Sequence, residues 1–150
     1  MIKIPEEVIV IINKLEAAGY EAAAVGGCVR DLLIGRPPND WDVTSNARPE
    51  ELQKIFPDSF YANRFGTVTV KTGSTDPALE EVQITTYRIE EKYTDKRHPD
   101  KVIFATDLPT DLSRRDFTIN AIALNVNQES GIKNYELIDP FHGQDDIKKD

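Results

Sequence analysis

Cysteine is nearly absent: Cys28 stands alone in 150 residues, so no disulfide can form within the chain. Histidine is almost as scarce, with His98 and His142 isolated from each other. One cysteine and two scattered histidines exclude the clustered ligand spacing of a zinc centre and offer no serine- or cysteine-protease triad. Long apolar runs are missing too. Residues 8–12 form the longest near the start, far below the roughly 20 residues that span a bilayer. No basic flank or small-residue cleavage site accompanies them, so no membrane partner is expected and a cytoplasmic chain is. Positive charge is in deficit, 18 Lys and Arg against 26 Asp and Glu, a net charge of −8. Gripping a nucleic-acid backbone needs clustered cations, so this segment is not expected to do so alone. Carboxylates that hold divalent cations could still serve a nucleotide enzyme. Neither a Gly-Lys-Ser/Thr phosphate loop nor a Gly-x-Gly-x-x-Gly fingerprint occurs.

What remains is an ordinary globular composition, 39% hydrophobic and 29% charged, of a length suited to one domain. Pro5-Glu6-Glu7, followed by Val8, Ile11, Ile12 and Leu15, predicts an amphipathic helix closed by Gly19. Residues 21–25 read as a strand stopped by Gly26-Gly27, 29–34 as a short helix, 40–44 as a strand and 48–56 as a helix. Alternating Thr and Val over 66–71, and a similar pattern over 81–88, predict a hairpin with a long tip. Residues 90–101 are polar without apolar period and read as a mobile surface loop, followed by a short strand at 102–105. A helix is expected over 110–120, an extended segment over 121–127 and a further helix from 145. The order implies an α/β (α+β) domain, with one mixed, largely antiparallel sheet backed by helices.

Three segments carry chemistry. In Asp40-Trp41-Asp42 the two-residue strand period sends both carboxylates one way and Trp41 the other. The pair is either two solvated acids at a strand end or a divalent-metal site. Gly26-Gly27 before a helix is either a tight turn or a place where backbone N–H groups approach phosphate, with Arg30 one turn on. Arg114-Arg115-Asp116-Phe117 is either a solvated helix cap or a second arginine contact to phosphate. Cys28 has no base paired with it in sequence and reads as a packing residue.

Taken together and in this order, these segments resemble the head domain of class II tRNA nucleotidyltransferases (the CCA-adding enzymes) and bacterial poly(A) polymerases, within the DNA polymerase β-like superfamily. Residues 26–36 resemble its glycine signature, and Asn39-Asp40-Trp41-Asp42-Val43-Thr44 its carboxylate pair. Phe65-Gly66-Thr67-Val68 and Ile84-Thr85-Thr86-Tyr87-Arg88 resemble its central hairpin, Arg97-His98-Pro99-Asp100 its flexible loop, residues 114–121 its sugar-selecting motif, and Ile138-Asp139-Pro140-Phe141 the usual end of the domain. The resemblance implies a nucleotidyltransferase (polymerase β-like) fold over 1–150. It implies that Asp40 and Asp42 bind two Mg2+ ions. Gly26, Gly27 and Arg30 would hold the triphosphate of CTP or ATP, and Arg115 would contact the nucleotide. Arg114, Asp116 and Asn120 would support ribose recognition. The implied reaction is template-independent addition of CMP or AMP to a tRNA 3′ end, with poly(A), CC-only or A-only addition as variants.

Two departures from the pattern bear on this. The family's third carboxylate falls at Gln83, a weaker magnesium ligand, with Glu81 two residues earlier as a partial substitute. The base-selecting motif and the neck, body and tail domains are not within residues 1–150, as expected for an excised domain or a naturally short chain. RNA would then be gripped mainly by segments outside these residues, and this piece alone would be weak or inactive. A silent nucleotide-binding or regulatory domain is the competing reading. A small-molecule nucleotidyltransferase is disfavoured by the Arg-Arg-Asp-Phe-Thr segment.

Overall fold

A computed structural model describes residues 3–61, 66–93, 99–113, 115, 117–129 and 132–148. Helix α1 (Glu6–Ala17) starts after Pro5, carries Glu6 and Glu7 at its positive end, and buries Val8, Ile9, Ile11, Ile12 and Leu15. Then follow β1 (Ala22–Val25), α2 (Gly27–Leu33), β2 (Trp41–Ser45) and α3 (Pro49–Ile55). The Glu51 carboxylate accepts the Arg48 N–H at the start of α3, 3.1 Å away, and Pro49 sits in its first turn, where it has no hydrogen bond to lose.

Strands β3 (Ser59–Tyr61), β4 (Thr67–Lys71) and β5 (Glu81–Thr86) come next. Two more strands, β6 (Arg88–Tyr93) and β7 (Pro99–Phe104), precede helix α4 (Leu108–Ser113) and a 3-10 turn (Thr118–Asn120). The chain continues through β8 (Ala123–Glu129), β9 (Ile132–Ile138) and α5 (Gly143–Lys148).

Among the described residues, seven strands form one sheet in the order β3-β4-β5-β2-β1-β8-β9. Every pairing in it is antiparallel except β2 with β5. The mixed, largely antiparallel sheet is as expected. Alternation along β1 and β2 sends Ala22, Ala24, Trp41 and Val43 into the larger core with α1, α2 and α3. Ala23 and Val25 face a smaller core with Tyr87, Leu108 and Leu112. Each fully buried Val, Leu or Ile contributes about 1.5–3 kcal/mol, so the larger core dominates stability. Asp42 and Thr44 must therefore lie on the other face, over the smaller core.

Three expectations need correction. Residues 90–101 are not simply a loop: β6 and β7 pair antiparallel as a second, two-stranded sheet, Arg88 opposite Phe104 and Glu91 opposite Val102. Backbone pairing in such a ribbon imposes no apolar alternation, so its sequence carried no strand signal. Residues 94–98 lie outside the described set. The ribbon's base is fastened to the domain: the Ala105 N–H donates to the Tyr87 carbonyl at 2.7 Å, and the Arg48 guanidinium lies 4.5 Å from the Phe104 ring centroid. Gly66 (φ 84°) abuts that ring, and a Cβ there would meet it at 2.8 Å.

The helix expected over 110–120 is split instead. Helix α4 ends at Ser113, and an extended Phe117 (φ −123°, ψ 139°) leads into the 3-10 turn. Strands β3 and β9 are additional to the expectation. The first has three residues, too few for a pattern, whereas β9 places the half-buried Tyr135 and Leu137 two apart, a signal that marks it.

Candidate functional site

Strand β1 delivers the chain to Gly26, whose φ of 82° and ψ of −140° belong to a region open essentially to glycine. Helix α2 begins at the next residue, two positions earlier than its sequence pattern suggested, and no side chain caps its first turn. The glycine pair thus opens the helix at the carboxyl end of β1, an interior strand of the sheet, where a phosphate would meet uncapped backbone amides.

Two arginines converge on this turn. Arg30 folds back so that a Cβ on Gly27 would lie 3.3 Å from its Nη2. Its guanidinium donates to Asn120 Oδ1 at 3.1 Å and to Asp31 Oδ1 through Nε at 3.3 Å and Nη2 at 3.2 Å. Arg115 approaches from the other side, its Nη1 3.5 Å from the position a Cβ on Gly26 would take. Its Nη2 lies 3.6 Å from Asp111 Oδ2.

The carboxylate pair sits beside them. Asp40 is exposed and immediately precedes β2, whose first residue, Trp41, is only 3% exposed on the opposite face. Asp42 is half-buried and stands directly across from Gln83 in the β2–β5 pairing. Asp40, Trp41, Asp42, Glu81 and Gln83 line a cavity of about 240 Å3. Burial raises the pKa of Asp42 above the ordinary carboxylate value; the Arg115 charge pulls it down and the Asp40 charge pushes it up. A desolvated carboxylate beside a second one is an arrangement that a cation would relieve. Among the described residues no three acidic, imidazole or thiol groups cluster as a metal cage. Two carboxylates with open positions suit magnesium, which keeps waters and substrate phosphates as its other ligands. Glu81 lines the same cavity, but its register partner on β4 is Lys71. A wider groove of about 370 Å3, lined by Val10, Ile11, Phe56 and Val70 among others, contains none of these groups.

This arrangement of glycine turn, paired arginines and paired carboxylates can be set beside known proteins. The profile described as the poly A polymerase head domain matches residues 22–150. The chain belongs to the poly A polymerase head domain family. Among its relatives are the CCA-adding enzymes of Lactobacillus delbrueckii subsp. bulgaricus, 46% identical over 93% of this chain, and of Lactococcus lactis subsp. lactis, 44% identical over 98%. Those matches cover 32% and 36% of the relatives, so the chain spans about a third of their length. The Bacillus stearothermophilus CCA-adding enzyme, solved in complex with CTP, superposes with a TM-score of 0.76 at 38% identity, over 95% of this chain and 31% of that one. A tRNA nucleotidyltransferase solved with a primer tRNA and an incoming ATP analog gives 0.65 at 32% identity, covering 92% and 36%.

Within this head domain, Asp40, Asp42, Gly26, Gly27, Arg30, Arg115 and Asn120 fall into one neighbourhood, with Glu81 and Gln83 on the cavity wall. Arg114 and Asp116 lie outside the described residues. Asp111, whose side chain is fully buried, was not singled out from the sequence. Its spacing of four from Arg115 is the acidic–basic helical pairing that could have flagged it. Cys28, next to the glycine pair, is 3% exposed and donates to the Val25 carbonyl at 3.3 Å. Burial pushes its thiol up to about 11. Only about one part in a thousand is thiolate at pH 8, and the thiolate is the reactive form. Iodoacetamide is expected to alkylate the native protein at least about a hundredfold more slowly than the denatured chain. Equal rates by mass spectrometry would refute the packing role.

Proposed function

We propose that this head domain carries out template-independent nucleotidyl transfer, adding CMP or AMP from CTP or ATP to the 3′ end of tRNA. The observation that carries the reading is the Asp40/Asp42 pair sharing a cavity next to a turn flanked by Arg30 and Arg115. Gly26, Gly27, Arg30 and Arg115 hold the triphosphate; Asn120 steadies Arg30, and Arg114 and Asp116 serve the ribose. Asp40 and Asp42 would hold two magnesium ions, which when bound would neutralise phosphate charge and make the RNA 3′-hydroxyl a better nucleophile. The hydroxyl attacks the α-phosphorus in line and pyrophosphate leaves, with both arginines compensating the charge that builds on the leaving side. No covalent enzyme intermediate is required. The names of the relatives support CCA addition over poly(A) synthesis. The acidic balance of the segment fits an RNA held mainly by other parts of the protein. A cytoplasmic location is consistent with an activity on tRNA.

The deciding experiment supplies the full natural chain with tRNA lacking its terminal nucleotides and labelled CTP or ATP. Incorporation of both, lost in Asp40→Ala, is the expected result. ATP incorporation alone, running to long tails, would favour poly(A) synthesis. Nucleotide binding without incorporation would favour a silent binding domain, a reading that gains its support from Gln83. An amide beside Asp42 weakens metal binding relative to a third carboxylate. Gln83→Glu is therefore expected to lower half-saturating magnesium by about three- to tenfold, the effect of one added nearby charge of about 1 kcal/mol. An unshifted magnesium titration would remove that role for Gln83.

A further inference from the structure

Asp111 is a carboxylate with no solvent exposure, held by donors from two strands and paired with an arginine just past its own helix. Its Oδ1 accepts the backbone N–H of Arg88, the first residue of the β6–β7 ribbon, at 2.9 Å. Its Oδ2 accepts the Thr44 hydroxyl of β2 at 3.2 Å and lies 3.6 Å from Arg115 Nη2. A buried ionised group is tolerated only where it is paired and hydrogen-bonded, so this side chain has little freedom. Arg115, 18% exposed, is correspondingly confined. Asp42, two residues before Thr44 on the same strand face, is close enough for the Arg115 charge to stabilise its ionised form. The guanidinium thus pairs with the buried Asp111 and lies within electrostatic reach of Asp42 at the cavity.

We infer that Asp111 is a positioning residue that anchors Arg115 at the Gly26 turn and keeps its guanidinium from collapsing onto the Asp42 carboxylate. Without that anchor, the guanidinium would be released to neutralise the Asp42 carboxylate instead of meeting the triphosphate. Anchoring also explains why a fully buried acid is kept in a small core that could be apolar. Thr44 and the Arg88 N–H set its rotamer, so the base of the ribbon and the carboxylate strand jointly fix where Arg115 points. The inference rests on the nucleotidyltransferase reading above and adds to it a residue that touches neither nucleotide nor RNA.

The test is a double-mutant cycle on CTP affinity in the full natural chain, read by equilibrium dialysis with magnesium present, alongside the KM for tRNA and the thermal midpoint. Asp111→Asn keeps an oxygen for the Arg88 N–H and replaces the charged Oδ2 acceptor, which faces Thr44 and Arg115, with an amide NH2. It is expected to weaken CTP binding by roughly 10- to 100-fold, the range for loss of a charge-assisted hydrogen bond. The KM for tRNA stays unchanged. In an Arg115→Ala background the same substitution is expected to change CTP affinity less than about twofold, because Asp111 acts through Arg115. Equal losses in both backgrounds, or unchanged affinity in a folded Asp111→Asn, would overturn the inference. Should Asp111→Asn fail to fold, Thr44→Val carries the test: it removes one donor to Oδ2 and is expected to weaken CTP several-fold, and an unchanged affinity overturns the anchor. A parent chain that binds no nucleotide overturns the functional reading and this inference with it. A parent that binds CTP and is indifferent to Asp111 overturns the anchor alone.

Discussion

Asp42→Asn is expected to lower the rate of nucleotide transfer at least about a thousandfold, equivalent to about 4 kcal/mol of lost transition-state stabilisation, while leaving the metal-free protein more heat-stable than the parent. The two effects have one cause. Asp42 is half-buried, shares the cavity with Asp40 on the same strand side, and has its pKa raised by burial in spite of the Arg115 charge. A carboxyl whose pKa is higher folded than unfolded binds its proton more tightly in the fold. Its ionisation therefore costs stability as pH rises from the unfolded value through the folded one, and the full cost is present at neutral pH. Removing the charge relieves that cost, and the relief fades in acid, where both states are protonated. Magnesium is expected to raise the thermal midpoint of the parent and to leave that of Asp42→Asn nearly unchanged, since only the parent retains the pair. Thermal scans with and without magnesium, next to a transfer assay, check all three outcomes. A variant that loses activity but also loses stability without metal would mean that Asp42 supports the fold instead of the reaction.

The legible parts of this site are those fixed by local periodicity. Asp40 and Asp42 share a side because strand residues two apart do, and the buried Trp41 between them confirms that orientation. The glycine pair announced a turn into a helix for the same reason. That Arg30 folds back over Gly27 to reach Asn120 depends on a contact 90 residues away in sequence. No local pattern encodes it. The pairing of Asp42 with Gln83 likewise required β2 and β5 to lie parallel, a crossover that alternation cannot announce. Resemblance to a family brought Asn120 and Arg115 to the site in advance. It did not bring Asp111, whose part is visible only once Thr44, Arg88 and Arg115 are seen closing around it. The β6–β7 ribbon escaped for the opposite reason: its backbone is regular, but its sequence lacks the apolar alternation by which a half-buried strand is read.

Gly26→Ala is expected to cost about 1–3 kcal/mol, or roughly 3–10 °C in thermal midpoint for a domain of this size, and to weaken CTP binding about tenfold or more. Crowding is not the source. The added Cβ would lie 3.5 Å from Arg115 Nη1, an ordinary contact, with nothing else within 4 Å. The cost comes from the backbone, because φ 82° with ψ −140° is strained for any residue bearing a Cβ. The chain can relieve that strain only by rotating the turn, and α2 begins at the very next residue, so Arg30 and its bond to Asn120 move with it. Gly27→Ala supplies the contrast. It sits in regular helix, and its Cβ would meet Arg30 Nη2 at 3.3 Å, the far end of a side chain able to yield. It should therefore displace the guanidinium and weaken CTP with little loss of stability. If thermal scans and dialysis find the two substitutions alike in midpoint, turn strain is not what sets the helix start, and the glycines matter only for the room they leave. If Gly26→Ala alone unfolds early and both weaken CTP, the first glycine shapes the turn and the second clears the guanidinium's path to phosphate.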